Sequence, residues 1–128
     1  MSWQQFVDES LLGTSQVAKA SIHGLNGERY ASSSGFVVLP SEAQVLIAAI
    51  TKDPSPTYYK GVCLNRTKYF VIRVDPGHSL YCRKGNEGAV AVLTSQCLLI
   101  GAYSEGMTPG CCSAVTEKLA DYFRVNGF

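Results

Sequence analysis

The sequence predicts an α+β fold in which a central antiparallel sheet carries the N- and C-terminal helices on one face and a further helix on the other. Two observations lead to this fold. Helix-start signals followed by apolar residues at helical spacing stand near both ends of the chain and near residue 41. Between residues 58 and 103, short β runs are separated by gaps too short for crossover helices, so neighbouring strands must be antiparallel.

The N-terminal helix is predicted from a capping box. The Ser2 hydroxyl can accept from an early backbone N–H, and the side chain of Gln5 can return a bond to the cap. The apolar residues of this segment recur at helical spacing: Trp3, Phe6, Val7 and Leu11. Gly13 is predicted to end the helix in the left-handed conformation.

A hairpin and a second helix are predicted next. An alternating strand over residues 18–23 leads to Asn26-Gly27, two residues that tolerate the positive φ of a type I′ turn, and residues 29–33 return as its partner. Ser41 and Gln44 form a second predicted capping box. The helix after it is predicted to end at Pro54 and Pro56. Its inward-facing residues are predicted to be Val45, Leu46, Ala49 and Ile50.

The second half of the chain is predicted to be a β meander followed by a helix. Five strands are expected, over residues 62–64, 69–74, 79–83, 89–93 and 97–103. Thr108 and Pro109 then supply a cap hydroxyl and a proline suited to the first helical turn. In this helix one face is predicted for Val115, Leu119 and Tyr122, and Phe123, four residues after Leu119, overlaps it. An outward face is predicted for Glu117, Lys118 and Asp121.

Length and composition favour one domain over residues 1–128. With 128 residues and 46% hydrophobic content, the chain can build one sizeable core. Asp8 and Glu9 stand where a signal peptide needs a positive region, and the longest apolar run, residues 45–50, is too short for a membrane span. We therefore expect a soluble intracellular protein.

The cysteines do not form a recognisable metal or disulfide pattern. There are 5 of them, an odd number, without a CxxC pair, so neither a zinc site nor a complete disulfide framework is predicted. Cys111 and Cys112 are adjacent at a predicted helix start, where a helix dipole can activate a thiol, so a redox role for one of them stays an alternative.

Charge is balanced over the chain but uneven along it. The net charge is +1, yet residues 60–84 contain six basic residues and one acidic residue, a net charge of +5. Such a basic face can attract an acidic protein surface or phosphate groups. It can also be only a solvated sheet face. Because the isoelectric point is about 7.6, nucleic acid is not an expected partner.

Aromatic residues concentrate at the two chain ends. If the terminal helices lie side by side, Trp3 and Phe6 meet Tyr122 and Phe128, with Tyr30 of the first hairpin beside them. Such a groove suits a polyproline II helix, whose carbonyls can accept from Trp and Tyr donors. The alternative is that these rings only fasten the helices to the sheet.

An enzymatic function is not favoured by the sequence. His23 or His78 would have to act with a cysteine, and Cys82 near His78 alternates within a predicted strand. Phosphate-binding loops of the Walker or GxGxxG type are missing. We therefore expect neither catalysis nor a cofactor.

Several segments at the right separations resemble the profilin family from end to end. They are Met1-Ser2-Trp3-Gln4-Gln5-Phe6-Val7-Asp8, Lys68-Tyr69-Phe70-Val71-Ile72-Arg73, Thr108-Pro109-Gly110 and Leu119-Ala120-Asp121-Tyr122. The resemblance implies a cytoplasmic, cytoskeleton-associated protein that binds monomeric actin and regulates its polymerisation. It also implies binding to proline-rich proteins through the paired terminal helices, and to phosphoinositide headgroups through basic patches.

The resemblance also implies site residues. The polyproline-binding aromatics are Trp3, Phe6, Tyr30, Tyr122 and Phe128. Among these, Phe6 and Phe128 lack hydroxyls that the family commonly has, and Tyr30 stands where Trp is usual. The implied actin-binding residues are Tyr58, Tyr59, Lys68, Val71, Arg73, Arg83, Lys84 and Lys118. Ser113 and Ala114 stand where many family members have Asn and Lys, and Lys118, one turn later, is expected to compensate for the contacts missing there. The implied phosphoinositide-binding residues are Arg66, Arg83 and Lys84. The alternative function is an adaptor for phosphoinositides and proline-rich segments with weak or no actin binding.

Overall fold

A computed structural model describes residues 2–128 and shows a seven-stranded antiparallel sheet with helices on both faces. The strand order is β2-β1-β7-β6-β5-β4-β3. The strands are β1 Lys19–Gly24, β2 Arg29–Ser32, β3 Val62–Leu64, β4 Thr67–Asp75, β5 Ser79–Lys84, β6 Glu87–Leu93 and β7 Cys97–Tyr103. The α-helices are α1 Trp3–Gln5, α2 Pro40–Thr51, α3 Ser55–Lys60 and α4 Pro109–Val125. The predicted fold class and the meander from β3 to β7 are confirmed.

Two apolar cores lie on opposite faces of the sheet, because residues alternate along each strand. The first core joins α2 to the sheet and includes Leu46, Leu80 and Ile100. The second lies under the terminal helices and includes Val7 and Leu99. The sheet therefore separates the terminal helices, which carry the chain-end aromatics, from α2.

The N-terminal helical segment starts as predicted and ends differently. Ser2 and Gln5 form the capping box, with the Ser2 hydroxyl accepting from the Gln5 N–H at 3.2 Å. After α1 the chain continues as a π-helical stretch, Phe6–Leu11, and a 3₁₀ turn, Leu12–Thr14. We call the whole of residues 3–14 the N-terminal helix. Its left-handed terminator is Ser15, at φ 63°, so the prediction of Gly13 was wrong, because the added 3₁₀ turn carries the helix past that residue.

The start of α2 also differs from the prediction. The helix begins at Pro40, and the Glu42 carboxylate, rather than Gln44, accepts from the backbone N–H of Leu39 at 2.9 Å. The same carboxylate accepts from the N–H groups of Asn65 and Arg66 at 3.2 and 3.0 Å. Glu42 thereby joins the α2 start to the β3–β4 turn, whose two residues both have positive φ. The predicted Ser41 and Gln44 capping box is wrong, since Gln44 instead donates to the Asn26 carbonyl.

Three further local predictions need correction. Val45 is 45% exposed rather than inward-facing. The helix α3 was not predicted, because Pro54 and Pro56 were interpreted only as terminators, although proline also fits a first helical turn. In the β1–β2 turn only Gly27 has positive φ, so this is not a type I′ turn.

Candidate binding surfaces

The two chain ends form one aromatic groove. The N-terminal helix contributes Trp3 and Phe6, and the end of α4 contributes Tyr122, as the sequence predicts. The cleft has a volume of about 460 Å³ and is lined by Trp3, Phe6, Tyr122, Phe123, Asn126 and Phe128. Tyr122 and Phe128 remain 53% and 41% exposed, so the rings are accessible to a ligand.

The rings support one another through edge and stacked contacts. The Trp3 ring lies 5.6 Å from that of Phe123 and 5.7 Å from that of Phe128, both edge-on. Phe6 is edge-on to Phe123 at 4.9 Å and lies 6.0 Å from Tyr122. These separations are those of favourable aromatic pairs. The groove is therefore preformed by its own side chains.

Hydrogen bonds hold the C-terminus in place. The Phe128 N–H donates to the Phe123 carbonyl at 2.8 Å. The Thr94 hydroxyl and the Gln96 N–H both donate to the Phe128 main-chain oxygen at 2.6 Å. The Gln96 side chain also donates to the Gly127 carbonyl. The last aromatic ring is thus attached to the β6–β7 turn rather than free to move with a loose terminus.

Tyr30 flanks the groove. Its ring stacks on Trp3 at 5.0 Å with 29° between the planes, but Tyr30 does not line the cleft itself. It lies over Gly24, where a side chain would collide with the phenol. The structure therefore brings all five predicted aromatics together and places Tyr30 behind Trp3.

Two residues of the groove were not predicted from the sequence. Phe123 is 2% exposed and forms its floor, while Asn126 lines its rim and donates to the Tyr122 carbonyl at 2.8 Å. The helical spacing of Phe123 from Leu119 indicated a core residue, which it also is. No sequence signal marked Asn126.

A second cleft lies between β4, β5 and the start of α4. Its volume is about 280 Å³, and we call it the basic cleft; its lining includes Arg73, Tyr81, Tyr103, Pro109 and Ser113. The Arg73 guanidinium sits over the Tyr81 ring, 4.4 Å from its centroid, and lies 3.3 Å from the Asp75 carboxylate. The exposed guanidinium is positioned by both contacts.

A bulge aims Arg73 toward this cleft. In the β4–β5 ladder Val71 pairs with Cys82 and Arg73 pairs with Tyr81, so Ile72 is the extra residue. Val71 packs against the α2 core on the opposite face of the sheet. The structure thus separates Val71 from Arg73, two residues that the resemblance to profilins implied for one site.

The other predicted cations lie towards the start of β4 and the end of β5. Arg83 pairs with Phe70 and donates to the Gly85 carbonyl, and Lys84 follows it. Lys68 extends to 5.6 Å from the ring of Phe70, which is 64% exposed. Arg66 lies in the β3–β4 turn, at the same end. Two exposed aromatics, Tyr58 and Tyr59, lie on α3 beside β4.

Lys118 stands apart from this group. It lines a third cleft, of about 310 Å³, with Ser10 and Thr14 of the N-terminal helix and with Tyr122. Ser113, by contrast, lines the basic cleft. At 100° per residue, the five residues from Ser113 to Lys118 turn the helix by roughly 140°. The two side chains therefore occupy different flanks of α4.

The candidate catalytic groups do not meet in one site. His23 is fully buried, and its Nδ1–H donates to the Gly27 carbonyl while Nε2 accepts from the Ser21 hydroxyl. Burial lowers the pKa of His23 and raises the pKa of the Cys82 thiol to about 12. His78 pairs instead with Glu117 of α4 at 3.0 Å. Of the adjacent cysteines, Cys111 is exposed and Cys112 is buried.

Within residues 2–128, none of the helices combines the length and apolar character that crossing a bilayer requires.

Comparison with known proteins identifies the family. The Profilin family model matches residues 1–128. Profilin-P of Physarum polycephalum is 44% identical over 128 residues, covering all of both chains. The crystal structure of Acanthamoeba castellanii profilin II superimposes with a TM-score of 0.95 at 42% identity, covering 99% of this chain and 100% of that one. Mouse profilin IIa, solved in complex with a double repeat from the FH1 domain of mDia1, shares the fold at a TM-score of 0.82 and 22% identity, with 100% coverage of both chains. The chain belongs to the profilin family.

Proposed function

We propose that this protein binds monomeric actin through the basic cleft and proline-rich segments through the aromatic groove, and so regulates actin polymerisation in the cytoplasm. Membership of the profilin family supports both activities. The observation that carries the proposal is the groove itself, in which aromatic side chains from both chain ends meet around an accessible cleft. We propose a binding role and no catalysis.

The groove has the chemistry that a polyproline II helix needs. Its apolar walls match flat proline rings, and the ligand is already ordered before it binds. The Trp3 indole N–H and the Tyr122 hydroxyl can donate to ligand carbonyls. The Asn126 amide donates one N–H to the Tyr122 carbonyl, and its second N–H is a further donor at the rim that can take the place of one of the missing hydroxyls of Phe6 and Phe128. The FH1 complex of mouse profilin IIa supports this assignment.

For actin, the proposal relies on the cations around the basic cleft. Arg73, Arg83, Lys84 and Lys68 lie on or beside neighbouring strands, with exposed apolar surface at Phe70. An acidic protein surface complements this arrangement, and long-range attraction raises the association rate. Tyr58 and Tyr59 extend the surface at the sheet edge. Val71 and Lys118 point away from it, so we leave them out of the proposed contact.

The same end of the sheet supports a phosphoinositide site. Arg66, Arg83 and Lys84 flank the start of β4 and the end of β5, so their combined positive charge can attract a phosphorylated headgroup to this end of the sheet. The alternative function, an adaptor with weak or no actin binding, keeps this site and the aromatic groove but assigns no partner to the basic cleft.

Titration of labelled actin monomers tests the actin contact. Arg73→Glu should weaken binding by about tenfold to a hundredfold, because it places like charges together at a contact. Lys52→Glu is the matched control, since Lys52 is exposed at the end of α2 on the other face of the sheet. Equal affinity of wild type and a folded Arg73→Glu protein would exclude the cleft and favour the adaptor function.

The same proteins should be applied to immobilised polyproline. Arg73→Glu should be retained as well as the wild type, because the groove is built from the terminal helices and not from β4. Loss of both activities in this variant would contradict the assignment of two separate surfaces. Failure of the folded wild type to bind polyproline would contradict the groove assignment.

A further inference from the structure

The third cleft lies directly beside the aromatic groove. It runs between the N-terminal helix and α4 and is lined by Ser10, Thr14, Val115, Lys118, Leu119 and Tyr122. Tyr122 lines both clefts, so a ligand that contacts its ring in the aromatic groove lies next to the third cleft. The two depressions adjoin at this side chain.

Lys118, which lines the third cleft, has no ion-pair partner among the described residues. Among residues 2–128, the nearby carboxylates of α4 are engaged elsewhere: Asp121 pairs with Arg124 at 2.7 Å and Glu117 with His78 at 3.0 Å. Lys118 takes part in no ion pair of the described chain. Its ammonium group is therefore available to a carboxylate that a ligand brings.

We propose that the third cleft is a subsite for an acidic residue that flanks the proline run of a ligand, and that Lys118 determines this preference. The inference rests on the proposed proline binding. The occupant is part of the same peptide, because the third cleft adjoins the aromatic groove at Tyr122. Val115 and Leu119 supply apolar contact for the ligand residue between the proline at Tyr122 and the acidic residue, and Lys118 supplies the charge that pairs with the acidic residue.

The spacing fixes where the acidic residue must stand. Lys118 lies four residues before Tyr122, about 6 Å along the helix axis. A polyproline II chain advances about 3.1 Å per residue, so in a ligand that runs parallel to α4 the carboxylate belongs about two residues beyond the proline that contacts Tyr122. A proline ligand can enter in either direction, so the acidic pair is placed at each end in turn.

The test compares decaproline peptides with different flanks by the fluorescence of Trp3. One peptide carries Ser-Ser at both ends, two carry Asp-Asp at one end or the other, and one carries Lys-Lys at both ends. At low salt, at least one Asp-Asp peptide should bind about twofold to fivefold more tightly than the Ser-Ser peptide, as expected for an exposed ion pair. High salt should remove this advantage.

Variants locate the effect. The ratio of acidic to neutral peptide affinity should persist in Lys118→Arg, disappear in Lys118→Gln and invert in Lys118→Glu, which should favour Lys-Lys flanks. Lys52→Gln removes the same charge on the opposite face and should keep the wild-type ratio. A ratio of one in the wild type, or an unchanged ratio in Lys118→Gln, would overturn the subsite. These failures differ from a failure of the proposed function, in which the Ser-Ser peptide itself does not bind.

Discussion

Removing the Trp3 ring is the sharpest test of the aromatic groove. In the folded protein this ring contacts those of Phe6, Tyr30, Phe123 and Phe128 at centroid distances of 6.4, 5.0, 5.6 and 5.7 Å. At about 0.5 to 1.5 kcal/mol per aromatic pair, these contacts sum to roughly 2 to 6 kcal/mol. Because Trp3 is only partly buried, Trp3→Ala should cost about 2 to 3 kcal/mol of unfolding free energy, near the low end of that sum.

The same substitution should also weaken ligand binding. Trp3 lies at the centre of the groove and supplies both a flat face and an N–H donor, the properties of a residue that dominates an interface. We expect a loss of about 2 kcal/mol or more, which is roughly a thirtyfold weaker affinity for decaproline. The protein should stay folded, because typical stabilities are about 5 to 15 kcal/mol.

Calorimetric titration with decaproline measures the affinity, and urea unfolding followed by circular dichroism measures the stability. Fluorescence cannot be used here, since Trp3 is the only tryptophan. Val125→Ala is the matched control, because Val125 is 85% exposed on α4 and does not line the aromatic groove. If folded Trp3→Ala binds decaproline within twofold of the wild type, the reasoning that places the ligand on this ring is refuted.

Three further predictions concern stability and thiol access. Glu42→Ala should lower the unfolding free energy by about 2 to 4 kcal/mol in urea titrations, because three backbone N–H groups lose a charged acceptor. Since burial lowers the pKa of His23, the unfolded state binds its proton more readily. The free energy of unfolding should therefore fall as the pH drops below about 6.5, by up to about 1.4 kcal/mol per pH unit, and should level off below the folded-state pKa. Urea titrations at several pH values should show a smaller fall for His23→Gln than for the wild type. A thiol reagent should modify the exposed Cys63 and Cys111 in the native protein, with the other three cysteines reacting only after unfolding; rapid native reaction of all five would contradict the burial of those three.

Local sequence signals predicted the fold where a residue's own chemistry decides the conformation. The Ser2 and Gln5 capping box forms as expected, and the buried Val7 and Leu11 follow from helical spacing. The prediction failed where a distant partner decides. Glu42 caps α2 while also binding the β3–β4 turn more than twenty residues away, a contact that no local pattern encodes.

The candidate site shows the same division. Aromatic residues at the two ends predicted a groove because terminal helices on one face of a sheet must lie close together. The floor at Phe123 was assigned to the core, since helical spacing marks a buried face but not what lies above it. The position of Lys118 depends on the rotation of α4 against the N-terminal helix, which charge and spacing along the chain do not define.

Helix α4 explains how two ligands could be bound at once. Its first turns provide Pro109 and Ser113 to the basic cleft, and its last turns provide Tyr122 and Phe123 to the groove. Ser113 and Tyr122 are roughly 14 Å apart along the helix axis at 1.5 Å per residue. Between them the helix packs closely on β7. The Thr116 side chain lies so close to Gly101 that any side chain at position 101 would collide with it. Because α4 is held against the sheet between the two sites, a ligand at one end need not displace the other, and the two affinities should be nearly independent.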